Sequence, residues 1–300
     1  MIYLDNIESY LLSLQNNLVN RIENEEDQTK FLHDAWEFET GGGGLSCVIA
    51  DGSMMEKGGV NFSRIKGPEL PKSILEMKPE LKGYQYEVMG VSVVMHPVNP
   101  YVPTSHMNVR FFYAEKEGVE PIWWFGGGYD LTPYYAFDED CKNWHLSAYN
   151  ACKDFGEDSY EKYKRQCDEY FYLPHRDEQR GIGGIFYDYL NHWSFESCFA
   201  FMQSVGNAYV DAYLPIIAKR KHTPFGERER SFQLYRRGRY AEFNLIYDRG
   251  THFGLQNNGR TESILMSLPP VVNWLYNHQL EPKSKEAELT EKYLIKRNWL

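Results

Sequence analysis

Four extended runs follow one another between residues 59 and 128, and their spacing leaves little choice of fold. "GVNFSRIKG" (59–67), the region around "YEVMGVSVVMHP" (86–97), "NVRFFYAE" (108–115) and "IWWFGGG" (122–128) are strand-like. The last two are separated only by "KEGVEP", a hairpin-length turn. Upstream, "GGGG" (41–44) leads into the strand-like "LSCVIADG", so it reads as a loop inside the fold and not as a tether. Helical periodicity holds from about 137 to 172 and from about 194 to 221, and "AEFNLIYDR" (241–249) reads as one more strand. Near the N-terminus Ile7, Leu11, Leu14, Leu18 and Ile22 recur every three or four residues, the mark of an amphipathic helix. Hairpin strands set apart from helical blocks favour an α+β fold, a large antiparallel sheet flanked by helices, over a doubly wound parallel one. No repeat, linker or composition break divides the chain, which is read as a single domain over 1–300. The tail "EPKSKEAELTEKYLIKRNWL" reads as a surface helix or a loosely packed end.

Composition removes several classes of function. The net charge is −10, whereas wholesale nucleic-acid binding needs a basic face. The same field repels anions, so an anionic ligand would require a local cationic patch. No apolar run approaches the roughly 18–20 residues of a membrane span. Five cysteines, Cys47, Cys141, Cys152, Cys167 and Cys198, are odd in number and lack CxxC spacing. The N-terminus has neither a basic, apolar signal pattern nor an Arg-rich one, so free thiols in a reducing cytoplasm are expected. Aromatic residues make up 16% of the chain, enough to line a pocket for a large planar ligand but equally ordinary as core.

Several stretches could carry chemistry. "HPVNPYVPTSHMNVRFF" (96–112) places His96 and His106 on either side of a proline-stiffened loop. In the strand that follows, Asn108, Arg110 and Phe112 share one face, while Met107, Val109 and Phe111 share the other. Arg110 carries a permanent fork of donors suited to a carboxylate, although an exposed strand face would look the same. "FGGGYDLTPYY" (125–135) sets Asp130 beside three glycines, either to accept hydrogen bonds from a ligand or to cap its own turn. "HRDEQRGIGGIFYDYL" (175–190) holds His175, Arg176, Arg180 and Asp188. Arg236, Arg237, Arg239 and, after Gly259, Arg260 are further candidates for a cationic patch or simply for a solvated face. His96, His106, His145 and His175 have no compact metal-ligand spacing, so spacing alone is a weak metal signal.

Taken in order, these long segments resemble the oxygen-dependent coproporphyrinogen-III oxidase family. The likeness runs from "GGGGLSCVIADG" and "EKGGVNFS" through "WWFGGGYDLTPYY" and "CDEYFYLPHRDEQRGIGGIFYDYL" to "RRGRYAEFNLIYDRGTHFGLQNNGRTESILMSLPP". It implies a homodimer that converts two propionates of coproporphyrinogen III to vinyls, with dioxygen as oxidant and carbon dioxide and hydrogen peroxide released. It implies catalytic roles for His106, Asp130 and Arg110, with His106 as proton donor and Asp130 engaging pyrrole N–H groups. It also implies substrate contacts at Ser92, Asn108, Val109, Arg110, Asn258, Gly259 and Arg260. His96, His106, His145 and His175 match histidines assigned to a divalent metal in some members. The favoured mechanism needs no cofactor; an essential histidine-bound metal and a non-catalytic tetrapyrrole carrier remain open alternatives. Val98 stands where many relatives have arginine, Gln166 replaces a common tryptophan, and Tyr187 replaces a phenylalanine.

Overall fold

The computed structural model describes residues 3–300. Seven strands form one antiparallel sheet: β1 (Leu32–Glu37), β2 (Gly42–Ala50), β3 (Met55–Gly67), β4 (Gln85–Pro97), β5 (Thr104–Lys116), β6 (Val119–Thr132) and β9 (Gly183–Leu190). The order is β1-β2-β3-β4-β5-β6-β9, so six strands run on as hairpins and only β9 returns by a long connection. A two-stranded ribbon, β7 (Tyr172–Leu173) with β8 (Glu178–Gln179), lies inside that connection. The helices are α1 (Leu4–Glu23), α2 (Lys72–Met77), α3 (Asp138–Cys152), α4 (Ser159–Tyr170), α5 (Phe195–Arg220), α6 (Glu227–Ile246), α7 (Arg249–Gln256), α8 (Thr261–Leu265) and α9 (Lys285–Glu288). The α+β class and the antiparallel sheet agree with the sequence pattern.

Period-two alternation decides which face of the sheet becomes core. Val91, Val93, Met107, Val109, Phe111, Phe125, Tyr129, Ile185 and Tyr187 are buried on one face. That face packs against α1 and α5, with α3 and α4 closing over β9. The expected N-terminal stripe is the buried side of α1.

The other face is polar. Its cross-strand partners form a transverse row, Asp34–Ser46–Asn61–Ser92–Asn108–Gly128–Phe186, one residue from each strand. A neighbouring row contains Val48, Gly59, Val94, His106 and Asp130. The row on the other side contains Gly44, Ser63, Gly90, Arg110 and Gly126. Glycine and serine keep this floor low. At Gly126 a Cβ would sit 2.9 Å from the Arg110 guanidinium, so the missing side chain is what lets Arg110 lie flat.

Three expectations need correcting. Residues 241–249 are not a strand: Ala241 to Ile246 finish α6, and Asp248 caps α7 by accepting from the Thr251 N–H. Helix α6 is buried on nearly every side, Arg236, Arg237, Arg239 and Asn244 included, so it shows no amphipathic stripe to betray it. The C-terminal tail is neither a surface helix nor loose, because Leu289, Tyr293, Leu294 and Trp299 are buried. The "GGGG" run is mostly strand rather than loop: Gly42 opens β2, and a Cβ there would lie 2.0 Å from the Arg64 carbonyl oxygen.

Tyr187 is fully buried and its hydroxyl has no hydrogen-bond partner among the described residues. Leaving a buried polar group unpaired costs about 1–3 kcal/mol. Tyr187→Phe is therefore expected to raise the unfolding free energy by about 1 kcal/mol in urea titrations. A loss of stability would show that the hydroxyl has a partner in solution.

Candidate active site

Strands β4, β5 and β6 bring Ser92, His106, Asn108, Arg110 and Asp130 onto the polar face. Val109 lies between two of them in sequence but points into the core and is fully buried, so only its backbone is offered to this face.

Asp130 is the buried centre, with 1% of its side-chain surface exposed. Arg180 approaches its two oxygens at 2.7 and 2.8 Å through Nη2, and Nε donates at 3.2 Å. Burial alone would push the Asp130 pKa up, but Arg180 and His106 outweigh it and hold the carboxyl below its ordinary value. Arg180 is itself enclosed by Phe171, Tyr240 and Phe243 at 4.0, 4.6 and 4.7 Å, and Nη1 donates to Asn244. Two buried charges are tolerated here because each satisfies the other and the rings take up the guanidinium faces.

His106 donates from Nδ1 to Asp130 at 2.8 Å. This bond fixes the orientation of the ring and leaves Nε2 without a hydrogen-bond partner, on a side chain that keeps 22% of its surface exposed. Phe171 packs edge-on against the imidazole at 5.8 Å. Arg110 donates to Asn108 at 2.8 Å and to Asp188 at 2.9 Å. The open imidazole nitrogen and the cation therefore share a floor, each one transverse row from Asn108 on opposite sides.

The segment carrying Asn258, Gly259 and Arg260 lies elsewhere. It joins α7 to α8, with Asn258 at φ 56° and the Gly259 N–H donating to the Gly254 carbonyl at 2.8 Å. Arg260 pairs with Asp34 of β1 at 2.5 Å and donates to Ser263. Asp34 ends the same transverse row as Asn108, four strands away, or roughly 19 Å at the usual strand spacing. The two expected groups of substrate contacts thus stand over different ends of one floor.

The four histidines are not gathered. His96 is fully buried, accepting from Thr104 at 3.1 Å and donating to the Ser267 carbonyl at 2.9 Å. His145 accepts from Tyr160 at 3.0 Å and donates to the Ile182 carbonyl at 2.9 Å. His175 bonds Glu242 through Nε2 and Tyr247 through Nδ1, at 2.8 and 2.9 Å. Burial holds the His145 imidazole neutral, its pKa pushed down to about 3. Only His106 retains an unoccupied ring nitrogen, and among the described residues no group of three or more His, Cys, Asp or Glu side chains is placed to hold a metal ion. These residues do not fit the divalent site that the resemblance implies.

The arginine run of α6 is also spoken for. Arg236 pairs with Glu178, Arg237 with Glu56 and the Pro97 carbonyl, and Arg239 with Glu242 and the Tyr235 hydroxyl. Arg237 and Gln233 both donate to the Pro97 carbonyl, and Asn99 ties the loop to the carbonyls of Lys221 and Thr223. The loop is braced without an arginine at position 98.

Coproporphyrinogen III oxidase is the family whose model matches this chain, over residues 6–299. The chain belongs to that family. Its activity is oxidative decarboxylation of coproporphyrinogen III in haem biosynthesis, which makes it an oxidoreductase. Residues that linear reasoning did not assemble are Phe186, Asp188, Tyr170, Arg249 and Tyr240. They come from β9, α4, α6 and α7, and no local spacing links them to β5.

Glu242 allows a direct test of this electrostatic frame. Burial would raise its pKa, but hydrogen bonds from Arg176 and His175 and the charge of Arg239 bring it down from 4.5 to about 2. Its contribution is therefore present above about pH 4.5 and is lost as the pH falls towards 2. The melting temperature of the parent protein should drop more steeply over that window than that of Glu242→Gln. Parallel curves would show that Glu242 titrates normally.

Proposed function

We propose that this chain is an oxygen-dependent oxidase in which His106 is the proton carrier, Asp130 orients it and Arg110 holds a substrate carboxylate. The observation that carries this reading is the 2.8 Å bond from His106 Nδ1 to a buried, ion-paired Asp130 on the floor that also bears Arg110. The chemistry requires a proton. Converting –CH2CH2COO⁻ to –CH=CH2 with loss of CO2 releases two electrons, and reducing O2 to H2O2 with the β-hydrogen consumes one further proton for each side chain. His106 can supply it, because its orientation is fixed and its Nε2 faces the open floor. Asp130 acts through His106 in this arrangement, since Arg180 and His106 already occupy both carboxylate oxygens. Ser92 and Asn108 lie between the acid–base group and the cation and offer hydrogen bonds to the ring. Arg260, with Asn258 and Gly259, stands over the far end of the row for a second carboxylate.

No step in this reading passes through a protein-bound metal, because three of the four candidate histidines have both ring nitrogens engaged. A homodimer is part of the proposal. Leu245, Ile246, Phe253, Leu255, Val271 and Trp274, on and beside α6 and α7, are exposed apolar residues of the kind a second subunit covers. We also place the protein in the cytoplasm, consistent with five unpaired, buried cysteines. Among the described residues no helix is long and apolar enough to cross a membrane.

The decisive experiment follows oxygen uptake and product mass with enzyme whose metal content has been stripped and verified by elemental analysis. The expected result is two O2 consumed and two CO2 lost per macrocycle; turnover only after a metal is restored would overturn the metal-free reading. His106→Gln should lower kcat by about 10²–10⁴-fold with little change in KM. A kcat close to that of the parent would remove His106 from the proton step.

A further inference from the structure

Asp188 has no part in the proposed proton chemistry, yet it sits where two cationic side chains from distant parts of the chain meet. Its Oδ1 accepts from Arg110 Nη2 at 2.9 Å, and its Oδ2 lies 3.5 Å from Arg249 Nη2. Arg110 comes from the middle of β5, whereas Arg249 is the first residue of α7. Both guanidinium groups lie 5.9 Å from the Phe186 ring, and Arg249 is also 4.8 Å from Tyr170. Phe186 and Tyr170 are stacked at 4.3 Å, so the two cations rest against one rigid aromatic pair.

The backbone is shaped to present this carboxylate. Tyr189, the next residue, adopts a left-handed conformation at φ 53°, and the β6–β9 ladder shifts register between Phe125 and Gly127. The Tyr189 N–H donates to Asp188 Oδ1 at 3.1 Å. Strain of this kind persists only where the surroundings enforce it.

Charge and donor counts point the same way. Two arginines share one carboxylate, which leaves the trio with a charge of +1. Each guanidinium has five N–H donors, and Arg110 uses Nη1 for Asn108 and Nη2 for Asp188. Arg249 is 60% exposed and makes only the long contact to Asp188 among its ion pairs. One further carboxylate would find unused donors on both guanidinium groups.

We propose that Asp188 is a positioning residue that holds Arg110 and Arg249 side by side as a two-armed receptor for one propionate of the substrate. Without it the two guanidinium groups repel each other, and Arg249 loses its ion-pair partner on the sheet. The proposal rests on the reading of Arg110 as a carboxylate-holding residue.

The test is steady-state kinetics on the full chain with coproporphyrinogen III, comparing Asp188→Asn, Asp188→Glu, Arg249→Gln, Arg110→Gln and the Asp188→Asn/Arg249→Gln double variant. Asp188→Asn should raise KM about tenfold, the equivalent of one charge-assisted contact, while kcat falls by less than about threefold. Asp188→Glu should restore most of the KM, and the loss in the double variant should be clearly smaller than the product of the two single losses, because both changes undo the same pairing. An unchanged KM in Asp188→Asn, a fall in kcat alone, or additive losses in the double variant would overturn the proposal. If Asp188→Asn does not fold, Asp188→Ser alone and with Arg249→Gln takes its place, and additive losses again overturn the proposal. If Arg110→Gln leaves KM unchanged, the underlying reading of Arg110 fails. If Arg110→Gln raises KM while Asp188→Asn does not, only the role of Asp188 fails.

Discussion

The buried pair between Asp130 and Arg180 is the contact on which the site depends. An aspartate with 1% of its side chain exposed would stay neutral if left alone, and a neutral carboxyl would hold the His106 ring less firmly through Nδ1. Arg180 keeps it ionised, and the rings of Phe171, Tyr240 and Phe243 in turn keep the guanidinium in place. Removing one member would strand a buried charge, a loss of about 3–5 kcal/mol in comparable pairs. The pair therefore contributes to stability and to the placement of the His106 ring through the same contacts.

Around it, the molecule divides its charges by task. Glu56, Glu178 and Glu242 take up Arg230, Arg236, Arg237 and Arg239 of α6, which lock that helix over His96 and the loop after β4. Arg110, Arg249 and Arg260 remain closer to solvent above the polar floor. A local group of arginines of this kind is what an acidic protein needs if it is to meet an anionic ligand.

The sheet was legible because each hairpin is local: alternation shows which residues share a face, and turns show which strands are neighbours. That logic placed Asn108 and Arg110 together and set Val109 opposite them. It failed at α6, where burial on all sides erases the helical stripe, so Ala241–Ile246 passed for a strand. The histidines could not be sorted by sequence either. His96 and His106 point to the same side of the sheet, but a helix more than a hundred residues away buries one and leaves the other open. Arg180 and Asp188 could be recognised as charged residues, but not as partners of β5 and β6, because nothing local fixes where β9 docks. The motif order identified the family; the pairings within the site required the fold.

The single long connection in the sheet has a consequence for how the site comes into being. Strands β1 to β6 can zip together through neighbouring turns, whereas β9 must wait for two helices and a ribbon to be laid down before it reaches β6. Asp130 and Arg180 are separated by 50 residues, and Arg110 and Asp188 by 78. The half of the floor that bears His106 can therefore form before the residues that give it charge and orientation have arrived. The candidate site is assembled only when the last edge of the sheet closes, so the strand least determined by local sequence is the one that completes it.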